Sequence, residues 1–221
     1  MAFSNKQLFY FISISLLFII FSYFYLDASI AHYFITHKQQ YLALGNILSI
    51  GGQSKWYIGI SIIGVLVYRF YKKNNLYLQR YLFVLYANIF SAFVALIIKI
   101  IIGRVRPWGI ENGGHQYGIF ELFSHITPAL LKHHHLKEII HQLNTYVSFP
   151  SGHAVTAFAM FTYMSILFPR FRYIWLFIAL LVGISRIFAD DHYLSDIVGG
   201  AMVGIISTIF IYRLMKEKLQ A

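Results

Sequence analysis

Six runs of apolar residues, each close to the length that crosses a bilayer, constrain this chain more than any other feature. They cover residues 8–26, 56–71, 81–102, 154–168, 173–187 and 194–214. A spanning helix needs about 20 apolar residues, and the shorter runs gain a turn from their flanks. Inside hydrocarbon the backbone must satisfy its own N–H and C=O groups, so such runs fold as helices. The chain is 58% hydrophobic and 12% charged, where soluble domains run near one half and one quarter. The expected fold class is all-α: an integral membrane bundle of six transmembrane helices forming one domain over residues 1–221. No linker or low-complexity tract divides it, and the lack of cysteine excludes disulfides, thiolate nucleophiles and thiolate metal sites.

The first run follows Lys6 and precedes Ser29-Ile30-Ala31, which loosely matches a signal-peptide cleavage site. Its apolar core exceeds the roughly 7–15 residues of a signal sequence, so it reads as a retained helix. Six spans put both termini on one side. Ten Lys and Arg residues fall on that side and eight on the other, or ten against five once Lys99, Arg106 and Arg186 are set apart. The positive-inside rule then puts the termini in the cytoplasm. All ten His and seven of the eight acidic residues lie on the opposite face. The net charge of +10 is spread over short segments between apolar runs. That pattern fits anionic lipid surfaces or phosphorylated lipids, and no nucleic-acid partner is expected.

Residues 108–149 form an outer-face lid segment, in which 119–143 read as one or two interfacial helices between the third and fourth spans. In the last run, Gly200 and Gly204 make a small-xxx-small pair suited to close helix contact.

Three clusters fall on the outer face. Lys99 and Arg106 are seven residues apart, close to two helical turns, and so share a face at the end of the third span. Pro107 ends that helix, and a Lys within an apolar run is read by default as functional. In Phe149-Pro150-Ser151-Gly152-His153, Ser151 is a candidate N-cap of the fourth span. Gly152 lets backbone N–H groups approach an anion at the helix start, with His153 beside it. The third cluster runs from Ser185-Arg186 to His192 and Asp196. A helix beginning near His192 puts His192 and Asp196 on one face, one turn apart. The carboxylate then holds one imidazole nitrogen as N–H and leaves the other as base or nucleophile. Three cations, helix-start donors and two imidazoles are equipment for a phosphoryl oxyanion, with Lys and Arg serving where a metal otherwise would.

With Lys99-x6-Arg106-Pro107, then Pro150-Ser151-Gly152-His153, then Ser185-Arg186-x5-His192-x3-Asp196, the chain resembles the type 2 phosphatidic acid phosphatase (PAP2) superfamily. All three motifs are complete and in order. The resemblance implies a bacterial inner-membrane lipid phosphatase with its active site on the outer face and no cofactor or metal. His192 would be the nucleophile that forms a phosphohistidine, oriented by Asp196. His153 would protonate the leaving oxygen and then activate water. Lys99, Arg106, Ser151, Gly152 and Arg186 would bind the substrate phosphate. The expected partners are the bilayer and a phosphorylated lipid: lipid A, undecaprenyl diphosphate or phosphatidylglycerol phosphate. A lipid phosphotransferase and a non-catalytic lipid-binding or transport protein are the alternatives, and a vanadate-dependent oxidase shares the motif residues.

Outside the motifs, Arg104 and His115 are possible headgroup contacts, with Glu111 and Asn112 beside the latter. On a helix Arg104 points away from Arg106. His125, His133, His134, His135 and His141 read as solvated or headgroup-facing.

Overall fold

A computed structural model describes residues 4–113, 140 and 143–220. The regular elements among them are helical: α1 (Asn5–Tyr25), α2 (Asp27–Thr36), α3 (Lys38–Ser49), α4 (Ser54–Leu66), α5 (Asn75–Ile102), α6 (Pro107–Gly113), α7 (Gly152–Leu167), α8 (Arg172–Phe188) and α9 (Leu194–Gln220). Local chemistry sets the ends that hydropathy misses. Ser4 and Gln7 close a reciprocal capping box that starts α1. The Asn74 side chain accepts from the Tyr77 N–H at 3.2 Å, so α5 starts six residues before its apolar run.

Among the described residues, five stretches are long and apolar enough to cross a membrane: Asn5–Tyr25, Lys38–Tyr71, Asn75–Ile110, Pro169–Phe188 and Leu194–Leu219. The remaining expected span, the fourth in chain order, is α7; it has 16 residues and falls short of that length. α9 is the axis of the bundle, with 61% of its apolar window buried against 11% for α1. Phe158, Ala179, Val182, Ile197, Ile205 and Ile209 from α7, α8 and α9 form one core, and Leu8 and Phe11 of α1 pack on it. On α1, Phe9, Ile14, Leu17 and Phe24 are exposed, a surface suited to hydrocarbon. The Gly200–Gly204 pair does what its spacing predicts. A Cβ on Gly200 would sit 2.6 Å from the Ser151 carbonyl oxygen, and Gly204 lies against Val155. α9 therefore docks tightly on the start of α7.

Residues 27–52 are helical, apart from a turn at His37, where no element was predicted. α2 and α3 pack across the C-terminal end of α8: Phe34 and Tyr41 meet Phe188 at ring distances of 5.2 and 5.5 Å. Lys38 pairs with Asp190 at 3.1 Å. These helices escape a hydropathy reading because their apolar residues are interrupted by Asp27, His32, His37, Lys38, Gln39 and Gln40. A 3₁₀ turn, Ile50–Gly52, then leads into α4, and α4 ends in a π turn, Val67–Tyr71. The interfacial helices expected at 119–143 fall almost wholly outside the described residues, as do His115, His125, His133, His134, His135 and His141 and the side chains of Glu111 and Asn112.

Candidate active site

α5 does not continue to Arg106. Gly103 adopts the left-handed conformation (φ 52°, ψ 44°) and caps the helix, a geometry that favours glycine. Residues 103–106 then run beside 145–148: the Arg106 N–H donates to the Thr145 carbonyl at 2.8 Å, and Ser148 N–H to the Arg104 carbonyl at 3.0 Å. Lys99 reaches the same segment from the last turn of α5, its Nζ donating to the Val147 carbonyl at 2.6 Å. The expectation that Lys99 and Arg106 share a helical face is thus corrected. A glycine break and a backbone clamp bring Arg106 into the site, and α6 starts afresh at Pro107.

Ser151 is the N-cap of α7 as predicted (φ −65°, ψ 118°), but its hydroxyl makes no cap hydrogen bond. Its N–H donates to the Asp196 carbonyl at 3.0 Å. The Ser151 Oγ is buried without a partner, as are the Nε atoms of Arg106 and Arg186. Buried donors are rarely left unmatched, and these three sit on residues predicted to bind phosphate. A Cβ on Gly152 would meet nothing within 4 Å, so that residue faces open space.

Arg186 lies in the last two turns of α8. Beyond the helix, Asp190 takes a left-handed conformation (φ 59°). The resulting turn lets both Asp191 and His192 donate their N–H groups to the Arg186 carbonyl, at 3.0 and 3.2 Å. The Asp191 carboxylate hydrogen-bonds the Arg186 guanidinium and lies 3.6 Å from Arg106. It holds the two cations side by side.

α9 starts at Leu194, two residues after His192, yet the predicted pair forms. His192 Nδ1 lies 3.4 Å from Asp196 Oδ2 and 3.4 Å from Ser148 Oγ. Asp196 is fully buried. Its Oδ2 accepts from Ser148 Oγ at 2.5 Å and from the Tyr193 N–H at 3.0 Å, which fixes the carboxylate in place. Burial pushes the pKa of His192 well below the usual imidazole value, the Arg106 charge acts in the same sense, and Asp196 opposes them. Lys99 and Arg106 act electrostatically on both His192 and His153, and Arg186 acts on His153 as well. The three sequence clusters converge.

Arg104 is not a headgroup contact. It is 2% exposed and turned into the protein, with one guanidinium nitrogen 2.6 Å from Asp196 Oδ1 and from Ser195 Oγ, and the other 2.8 Å from Asp27 Oδ2. The Tyr193 ring packs on it at 4.0 Å. Arg104 does point away from Arg106, as expected, but not for a helical reason, because α5 ends at Ile102 before either residue. Sequence reasoning also missed Asp27, Ser148 and Ser195. Asp27 accepts from Ser22 Oγ at 2.6 Å, from the Ser195 N–H at 3.1 Å and from the Ser195 hydroxyl. One signal was available: Asp27 is the single acidic residue in the first 110 positions, at the end of an apolar run. Among the described residues no three His, Asp or Glu side chains cluster as metal ligands.

The profile described as the PAP2 superfamily matches residues 80–220, which hold every motif residue named above. The chain belongs to the PAP2 superfamily. In an alignment of 173 positions that covers 73% of this chain and 66% of the other protein, it is 34% identical to a lipid A 1-phosphatase of Rhizobium etli. It is 32% identical to the lipid A 1-phosphatase of Rhizobium johnstonii over 173 residues, covering 62% of that protein. A shorter match, 34% identical over 76 residues, is to the bacitracin transport permease protein BcrC of Bacillus licheniformis, with 34% of this chain and 36% of that protein covered. This PAP2 chain thus spans about two thirds of the length of its lipid A 1-phosphatase relatives. No solved structure matches it.

Proposed function

We propose that the protein is a membrane lipid phosphatase that acts through a phosphohistidine on His192. The observation that carries the reading is the convergence of Lys99, Arg106, Arg186 and the unpartnered Ser151 hydroxyl beside a histidine backed by a buried carboxylate. Asp196 keeps the proton on Nδ1, so Nε2 attacks phosphorus. The three cations neutralise the equatorial oxygens. His153 protonates the departing lipid oxygen and then takes a proton from the water that releases phosphate. The mechanism uses no metal. Six helices, the short α7 among them, cross the inner membrane, with the termini in the cytoplasm and the site at the outer surface.

Lipid A is the first substrate to test, since the two relatives that align with most of the chain are named for it. Detergent-solubilised protein should release phosphate from lipid A, undecaprenyl diphosphate or phosphatidylglycerol phosphate, with activity retained in EDTA and competitive inhibition by vanadate. Label appearing in a second lipid in place of free phosphate would make it a phosphotransferase. Turnover of none of these lipids would end the phosphatase reading.

Two further outcomes follow. A Gly152→Ala variant places its methyl in open space, so thermal stability should hold while kcat/KM falls roughly ten- to a hundredfold through displacement of the phosphate. In a pH profile of kcat/KM, corrected for substrate ionisation, the acid limb reports the free enzyme's base. His192 titrates below the ordinary imidazole range, so it stays neutral into more acidic solution. The acid-limb midpoint should therefore lie below about 6.5, the unperturbed histidine value; a midpoint above it would contradict the assigned base.

A further inference from the structure

A cavity of about 560 Å³ opens at the site between α4, α5 and α7, within the roughly 300–1,000 Å³ range of small-molecule sites. Lys99, Gly152 and His153 line it together with the apolar Ala92, Leu96 and Val155. Ala92 and Leu96 are also exposed on a helix apolar enough to cross a membrane, so the apolar part of the lining is accessible from lipid. The start of α4 adds Gln53, Ser54 and Lys55. The 3₁₀ turn before it packs on His153, and a Cβ on Gly52 would lie 2.9 Å from the His153 Cβ. That contact locks the start of α4 against the proposed catalytic histidine. Lys55 is exposed. Its Nζ lies 5.2 Å from the centre of the Trp56 ring, and no acidic side chain pairs with it among the described residues.

A cavity with cations from two helices and an apolar lining accessible from lipid suits an amphiphile with more than one negative group. We propose that it holds the first part of the substrate's hydrocarbon against Ala92, Leu96 and Val155, and that Lys55 binds a second anionic group of the same headgroup. Lys55 would thereby select diphosphates and bisphosphates over lipid monophosphates. This rests on the phosphatase reading and names the part of the substrate that the phosphoryl site does not touch. Lys99 from α5 and Lys55 from the start of α4 line the same cavity, so one space offers a cation to the reacting phosphate and another to a second anion. Charge complementarity requires the second group to be anionic.

The test uses the full-length protein in detergent with four probes: a polyprenyl diphosphate, a glycolipid bisphosphate, phosphatidic acid and water-soluble p-nitrophenyl phosphate. Lys55→Gln should raise KM roughly tenfold, the scale of one charge-assisted contact, for the diphosphate, the bisphosphate or both, with a much smaller shift for phosphatidic acid. Which of the two responds identifies where the second anion sits. Ala92→Phe should lower kcat/KM for long-chain lipids at least tenfold relative to p-nitrophenyl phosphate, whereas Phe93→Leu, on the lipid face outside the cavity, should leave that ratio unchanged. Equal KM shifts for mono- and bis-anionic lipids in Lys55→Gln would overturn the role of Lys55. An unchanged chain-length ratio in Ala92→Phe would overturn the hydrocarbon seat. Either failure leaves wild-type turnover intact and so is distinct from failure of the phosphatase reading, in which the wild type itself releases no phosphate.

Discussion

Replacing His192 by alanine is expected to lower phosphate release from a lipid phosphate by roughly 10³-fold or more, the scale seen when a covalent nucleophile is deleted. His192 is 4% exposed, and its Nδ1 faces Asp196 and Ser148. The ring therefore has one nitrogen committed to support and one left for chemistry. No other side chain in the proposed mechanism can take its place: the other imidazole, His153, is assigned the proton-transfer steps. Rapid alkaline quench after reaction with labelled substrate should trap a phosphoenzyme in the wild type and none in His192→Ala. His153→Ala should differ in kind. With p-nitrophenyl phosphate, whose leaving group needs little protonation, it should still form the phosphoenzyme and then stall, because water is no longer activated. Retention of more than about a tenth of wild-type turnover by His192→Ala would remove it as nucleophile.

The second large effect is on stability. Arg104 lies between Asp27 and Asp196, both 0% exposed, at 2.8 and 2.6 Å. Arg104→Gln leaves two buried carboxylates without their shared cation, and breaking a buried pair in this way costs about 3–5 kcal/mol. For a chain of this size that corresponds to a fall in Tm on the order of 10 °C, measurable by thermal unfolding in detergent. Activity should fall with it, because Asp196 loses the contact that fixes its Oδ1. Adding Asp27→Asn to Arg104→Gln removes one of the stranded charges and should recover part of the loss, so the two changes are non-additive. A Tm for Arg104→Gln within about 2 °C of wild type would mean that the buried pairs contribute little.

The contrast between Asp196 and Asp27 illustrates what a sequence discloses. Asp196 was legible because its partner His192 is four residues away, a distance that local geometry spans. The contact survives even though α9 begins only at Leu194. Asp27 pairs with residues 77 and 168 positions away, and no periodicity reports such a separation. Arg104 and Arg106 show the limit from another side. Both sit in one short motif, but the left-handed Gly103 and the hydrogen bonds to 145–148 decide which guanidinium faces the site and which is buried beneath it. α2 and α3 were missed because their burial comes from packing on the end of α8, and a hydropathy scan responds only to length and composition.

The amino-acid sequence alone determined the all-helical membrane architecture, because apolar runs of this length have few other ways to satisfy their backbones in hydrocarbon. It also supplied the residues of the candidate site, because each motif lies within a short stretch, although the Lys99–Arg106 spacing did not predict how those two residues are presented. Tertiary structure decided the rest: the Arg104–Asp27–Ser195 support beneath Asp196, the Asp191 link between Arg106 and Arg186, and the α4 border of the cavity. Those depend on which helix ends meet across the bundle. That is set by the close approach of α9 to α7 at Gly200 and by the packing of α2 and α3 on α8, contacts between residues far apart in the chain.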